Sequence, residues 1–138
     1  MQLIPYLNFP GTCRDAFEFY RAALGGEILA SFTYGESPMA GDMPADGHGQ
    51  LMHAHLQIGD AALMGADGPP PHGGSGFVNL MVDSPAEAER VWVALRDGAD
   101  VRMELQETFW AQRFGMLVDR FGQSWMVNCT VRDCVQAA

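Results

Sequence analysis

The feature that most constrains this chain is that it repeats itself. Thr12-Cys13-Arg14-Asp15 reads as a helix start, with a hydroxyl followed three residues on by a carboxylate. Ser84-Pro85-Ala86-Glu87 is a stronger form of the same box, with Pro at the first helical position. Thr12 and Ser84 stand 72 positions apart. The same offset pairs Ala16 with Ala88, Tyr20 with Trp92, Ala22 with Ala94 and Gly26 with Gly98. Each helix thus carries an aromatic anchor at one height and stops at a glycine. Tyr20 and Trp92 are expected in the core.

The repeat extends to the strands. Apolar segments at 3–9 and 77–82 precede the two helices, and alternating segments follow them, with Ile28, Ala30 and Phe32 answering Val101, Met103 and Leu105 after a slip of one. Each half then ends in a hairpin. Residues 50–58 turn at Gly59-Asp60 into 61–66, where Gly at the first turn position suits a type II′ turn. Residues 114–119 turn near Phe121-Gly122 into 124–129. Each half reads βαβββ. The fold class is α+β: two such modules forming paired curved mixed sheets with helices on the outer face. One helix covers only one face of its sheet. Two halves facing each other would enclose a cup, the natural place for a ligand.

With 138 residues the chain is one domain's worth. Positions 1–138 divide into module 1 (2–66), module 2 (77–129) and a linker (67–76) holding Pro69-Pro70-Pro71. Segment 35–49, rich in Gly, Pro, Asp and Met, has no counterpart in the second half; it is either a lid or a loose acidic loop.

Charge narrows the partners. Seventeen Asp and Glu face eight cationic residues, all Arg, for a net charge of −9. With no Lys, Schiff-base chemistry, a pyridoxal-phosphate anchor and a P-loop lysine are excluded. The acidic balance argues against nucleic acid and against an anionic membrane as partners, and no apolar run is long enough for a bilayer span. Met1-Gln2-Leu3-Ile4-Pro5 lacks a basic stretch leading into an apolar one, so no secretory leader is expected. Cys13, Cys129 and Cys134 make an odd count with no C-x-x-C pair, the pattern of a reduced, cytoplasmic protein.

Tyr6-Leu7-Asn8-Phe9-Pro10-Gly11, Ala16, Phe19-Tyr20 and Leu24-Gly25-Gly26 form one group of motifs. His53-Ala54-His55-Leu56, Ala62-Leu63-Met64 and Thr108-Phe109-Trp110 form a second. Phe114-Gly115, Asp119, Phe121-Gly122 and Trp125-Met126-Val127-Asn128 form a third. Together, over about residues 2–129, they resemble the PhnB-like proteins of the glyoxalase/bleomycin resistance/dioxygenase superfamily, also called vicinal oxygen chelate proteins. The resemblance implies paired βαβββ modules, a homodimer and, in the enzymes, a divalent metal held by His, Gln or Glu from the first and last strand of each module. Here those positions fall on Pro5, Met64, Phe77 and Met126, none of which suits a hard or borderline divalent ion. A slip of one, to Tyr6, Val78, Leu63 or Gly65, and Trp125 or Val127, does no better. The expectation is therefore no cofactor, with a divalent metal as the alternative. Without the metal's Lewis acidity, glyoxalase I chemistry and thiol transfer to fosfomycin are not expected. Some members carry a ubiquinone methyltransferase label, but no Gly-rich strand-to-helix turn supports it here.

Alternation from these positions gives a cup lining of Leu7, Phe9, Met64, Asn79, Met81, Ser124, Met126 and Asn128, mostly apolar with two amides and a hydroxyl. His53, His55 and Gln57 share one strand face, with Met52, Ala54, Leu56 and Ile58 on the other. Two strand histidines at this spacing can chelate a metal with His48 or Asp60, or can simply bond backbone or a partner subunit. Phe109, Trp110, Gln112 and Arg113 can close over a ligand or plug the sheet end. Cys13 sits where a helix dipole could lower its pKa; Asp119 reads as a turn former. No catalytic residue is assigned. Three readings stand: a metal-free small-molecule-binding protein, a metal-dependent glyoxalase- or dioxygenase-like lyase built on His53 and His55, and a dimer whose cup is closed by packing.

Overall fold

In the first half of the chain Phe17 lies against Gly65, so closely that a Cβ there would stand 2.8 Å from its ring. That contact shows how each half is built, with one apolar helix stripe pressed onto one face of a sheet. The computed structural model describes residues 1–38, 40–68 and 76–130. Pro69-Pro70-Pro71 of the expected linker and Cys134 lie outside the described residues. The chain separates into two units, Met1–Gly73 and Gly74–Ala138.

The first unit runs β1 (Tyr6–Phe9), α1 (Cys13–Leu24), β2 (Glu27–Thr33), β3 (Leu51–Ile58) and β4 (Ala61–Asp67). Its sheet has the order β1-β4-β3-β2, with β1 parallel to β4 and the other pairs antiparallel. Cys13, Ala16, Phe17, Tyr20, Ala23 and Leu24 form the buried stripe of α1, at the three- and four-residue spacing of one helix face. They meet Leu7, Phe9, Ala54, Leu56 and Leu63, all buried. Phe9 and Phe17 pack edge to face with centroids 6.3 Å apart. Burying each such side chain stabilises the unit by about 1.5–3 kcal/mol.

The second unit repeats the plan. It runs β5 (Val78–Met81), α2 (Pro85–Leu95), β6 (Asp100–Gln106), β7 (Ala111–Val118) and β8 (Ser124–Thr130), with sheet order β5-β8-β7-β6. Ala88, Val91, Trp92 and Leu95 of α2 are buried, and so are Leu117, Trp125 and Val127 of the sheet. Trp92 lies against Gly115, where a Cβ would stand 2.8 Å from the indole. The α+β class and the two βαβββ units are those expected, and Tyr20 and Trp92 are core residues at 0% and 3% exposure.

Several boundaries differ from the expectation. The first strand begins at Tyr6, and Leu3 before it is exposed. The second strand hairpin begins at Ala111 rather than 114, and β4 runs on to Asp67, which the sequence had assigned to the linker. The turn at Gly59-Asp60 is as expected: Gly59 takes φ 58°, and among the described residues no non-glycine has positive φ, which is the type II′ pattern and not type I′. Among the described residues no helix is long and apolar enough to cross a membrane.

The two helix starts diverge. Ser84 Oγ accepts from Glu87 N at 3.2 Å, as its box predicts. Thr12 makes no side-chain cap, and its Oγ1 is buried with no partner. The cap comes instead from Asp67, which is 2% exposed. Its Oδ1 accepts from Cys13 N at 2.8 Å and its Oδ2 from Leu51 N at 2.9 Å.

Candidate functional site

The faces of the two sheets that the helices leave uncovered hold most of the residues singled out above. In the second unit Met126 pairs with Asn79 and Met116, and Asn128 with Met81 and Phe114. Trp125, Val127 and Leu117 take the opposite, helix-covered side. Asn79, Met81, Met126 and Asn128 thus share the uncovered face, as alternation predicted, with Ser124 at its end opposite Val118. Trp110 rests on Phe114 at 5.4 Å and on Phe109 at 4.8 Å, both edge to face. Phe109 is 89% exposed. Arg113 is turned to the other side, where its Nε donates to Glu89 Oε1 of α2 at 3.0 Å. It braces the helix and does not join the aromatic pair.

In the first unit the expected faces of the first strand are reversed. Leu7 and Phe9 were placed on the cup side, but both are buried under α1, at 7% and 2% exposure. The residues on the uncovered side are Tyr6 and Asn8. The reason is register. Tyr6, not Pro5, stands opposite Met64 in β4, and Asn79, not Phe77, stands opposite Met126 in β8. Tyr6 and Asn79 are 73 positions apart, whereas the helices match at 72. An odd offset exchanges inside for outside in a strand of period two. No feature of the strand itself announces the change; only its pairing with β4 does.

His53, His55, Gln57 and Met64 share that side with Tyr6. The pairs His55 with Met64 and Phe32 with His53 set the row across β2, β3 and β4. Ala54 and Leu56, on the other face, are fully buried. His53 lies between two aromatic rings, 5.8 Å from Tyr6 and 5.6 Å from Phe32. Its Nδ1 is 3.1 Å from Tyr6 Oη. His55 Nε2 is 2.9 Å from Gln57 Oε1. Burial holds the Tyr6 phenol above its usual range, with smaller contributions from Cys13 and Tyr34, so Tyr6 is a neutral phenol at physiological pH.

The residues proposed to complete a metal site do not gather around the histidines. His48 Nε2 bonds to the carbonyls of Ala40 at 2.8 Å and Met43 at 3.2 Å. Asp60 lies in the β3–β4 turn. Among the described residues no three His, Cys, Asp or Glu side chains come together to hold a metal ion. The superfamily's own positions fare no better with the register corrected. Tyr6 and Met64 in the first unit offer a neutral phenol and a thioether, and Asn79 and Met126 in the second an amide and a thioether, groups that do not suit a hard or borderline divalent ion.

Residues 34–38 and 40–50 form a folded loop. It forms 3₁₀ turns at Tyr34–Glu36, Ala40–Asp42 and Ala45–Gly47. Thr33 and Glu36 form a reciprocal capping box at its entry, Gly35 N bonds to His48 O, and Tyr34 Oη donates to Asp67 O at 2.8 Å. His48 is the pin of this loop. Cys13 is also not a reactive thiol. Burial, and the nearby Asp67 carboxylate, push it up to about 12, the reverse of the dipole effect expected. Asp119 does form its turn, accepting from Phe121 N and Gln123 N, and it also anchors Trp125 Nε1 at 2.8 Å.

This architecture and its sequence have known counterparts. Residues 5–127 match the model of the Glyoxalase/Bleomycin resistance protein/Dioxygenase superfamily. Protein YjdN of Escherichia coli is 33% identical, over 93% of this chain and 95% of its own. The crystal structure of PA1353 from Pseudomonas aeruginosa is 47% identical with a TM-score of 0.84, covering 94% of this chain and 98% of that one. A PhnB protein from Bacillus cereus shares the fold with a TM-score of 0.75 at 21% identity, covering 94% of this chain and all of its own. The chain belongs to the Glyoxalase/Bleomycin resistance protein/Dioxygenase superfamily and is related to YjdN.

Proposed function

We propose that this chain is a small-molecule-binding member of its superfamily that works without a resident divalent metal, as a cytoplasmic homodimer. The observation that carries this reading is the helix-free face of the first sheet. There Tyr6, Phe32, His53 and His55 present rings and polar tips, with a thioether at Met64 where the superfamily's enzymes carry a metal ligand. A mostly apolar surface with a few placed polar groups is what a small organic ligand requires. The Trp110, Asn79 and Asn128 side of the second sheet has the same character. The lone Gly11 of the β1–α1 connection and the Asp67 cap on α1 give no support to a nucleoside-cofactor methyltransferase.

Native mass spectrometry of protein purified without chelator or His tag tests the reading. The expected result is a dimer free of metal, including after Zn, Ni, Mn or Fe is added back. A near-stoichiometric metal would overturn it in favour of a lyase centred on His53 and His55, and His53→Ala would then be the decisive variant. A metal-free dimer that captures no organic ligand from a mixed library would favour a cup closed by packing.

A further inference from the structure

Methionines line up across the second sheet. Asn79, Met126, Met116 and Met103 are successive register partners across β5, β8, β7 and β6. In the first sheet the corresponding row is Tyr6, Met64, His55 and Ala30, with a single thioether. Met116 and Met126 take the uncovered face, because Leu117, Trp125 and Val127 beside them are fully buried on the other. Directly opposite residues have Cβ atoms about 5 Å apart. From there a methionine, with its three rotatable bonds, can bring its sulfur to a shared point. A third sulfur is already aimed that way. Asn79 Nδ2 donates to Met81 Sδ at 3.4 Å, so the Met81 side chain folds back along β5 toward Asn79, the partner of Met126. Met81 is 56% exposed, so it does not serve as core packing within its unit.

The surrounding chemistry selects the guest. Thioethers are neutral, soft donors that suit Cu(I) and not a hard or borderline divalent ion. The second unit, Gly74–Ala138, contains no histidine. Among the described residues no three Cys, Asp or Glu side chains gather to offer harder donors. The described arginines of this unit are each paired with a carboxylate, and the net charge of −9 favours a cation.

We propose that Met81, Met116 and Met126 form a thioether site for a soft monovalent cation, Cu(I) or Ag(I). Neutral ligands alone hold the ion, so it exchanges, and a chain purified without added copper or silver is expected to be bare. The site goes beyond the small-molecule reading above and does not rest on it.

Methyl spectra of the full chain labelled with [ε-¹³C]methionine test the site. A Cys134→Ser background removes a competing thiol; Cys13 and Cys129 are buried at 0% and 2% exposure. One equivalent of Ag(I) is expected to move the Met81, Met116 and Met126 methyls together and to leave Met1 and Met64 in place. Cu(I) under anaerobic conditions should move the same three, and Zn(II) none of them. Met116→Leu and Met126→Leu, which conserve apolar volume, should each weaken Ag(I) binding about tenfold while the other methyl signals keep their folded positions. A shift led by Met1, or spread evenly over all the methionines, would mean an adventitious ion only and overturns the site. A shift at Met64 would place the ion beside His55 and overturns it too. So does unchanged affinity in both Leu variants, or an absence of methyl shifts at one equivalent. None of these outcomes bears on organic-ligand binding, which the native mass spectra read separately.

Discussion

Asp67, the last residue of β4, accepts the backbone N–H of Cys13 at 2.8 Å and so caps a helix that began 54 residues earlier in the chain. Its second oxygen holds the first residue of β3, Leu51, at 2.9 Å. One buried carboxylate thereby ties together the start of the helix and the ends of two strands.

Removing that carboxylate leaves two backbone donors without it. Asp67→Ala is expected to cost about 3 kcal/mol in urea unfolding, and Asp67→Asn roughly half as much. Thr12→Val should stay within about 0.5 kcal/mol, since Thr12 makes no cap bond. A large loss at Thr12 with a small one at Asp67 would reverse the assignment of the cap.

Gly115 and Gly65 are both pressed by an aromatic ring of the helix above, but the two sites should respond differently to relief. Gly115→Ala is expected to cost about 1–3 kcal/mol, and part should return in a Trp92→Phe background, where the indole edge is gone. At Gly115 the added Cβ would also stand 3.0 Å from Leu105 Cα, and at Gly65 it would meet Leu7 O more tightly, at 2.8 Å. Phe17→Leu should therefore rescue Gly65→Ala poorly.

The Cys13 thiol titrates at about 12 in the folded protein, against an ordinary 9.0. A pKa raised on folding contributes stability that is complete below about pH 9 and is lost as the pH climbs toward 12. The urea midpoint of the native chain should accordingly fall between pH 9 and 11 more than that of Cys13→Ala. At pH 8 the folded thiol should resist modification by thiol reagents.

His48 ties its loop by bonding two backbone carbonyls at once. His48→Ala should speed amide exchange across 35–49 while the strand amides of β3 and β4 keep their protection. The stability cost should be about 1 kcal/mol. Uniformly faster exchange through the sheet would instead make His48 part of the unit's core.

Local rules made much of this protein legible from its residues alone. Helix spacing placed Tyr20 and Trp92, the Ser84 box marked the start of α2, Gly59 marked a hairpin, and strand alternation put His53 and His55 on the side away from the buried Ala54 and Leu56. Each of these depends on neighbours within a few positions, so the sequence carries it directly. The repeat determined the two βαβββ units for the same reason. Tertiary structure decided the rest. The sides taken by Leu7 and Tyr6 depend on which residue of β4 lies opposite, and strand pairing across more than fifty positions is not written in either strand. Asp67 caps α1, and Tyr6 Oη meets His53 Nδ1, because packing brings distant segments within hydrogen-bond reach. The Cys13 thiol rises because those same segments exclude water from it. The chemistry of the candidate site thus lives in contacts that exist only once the sheet has formed.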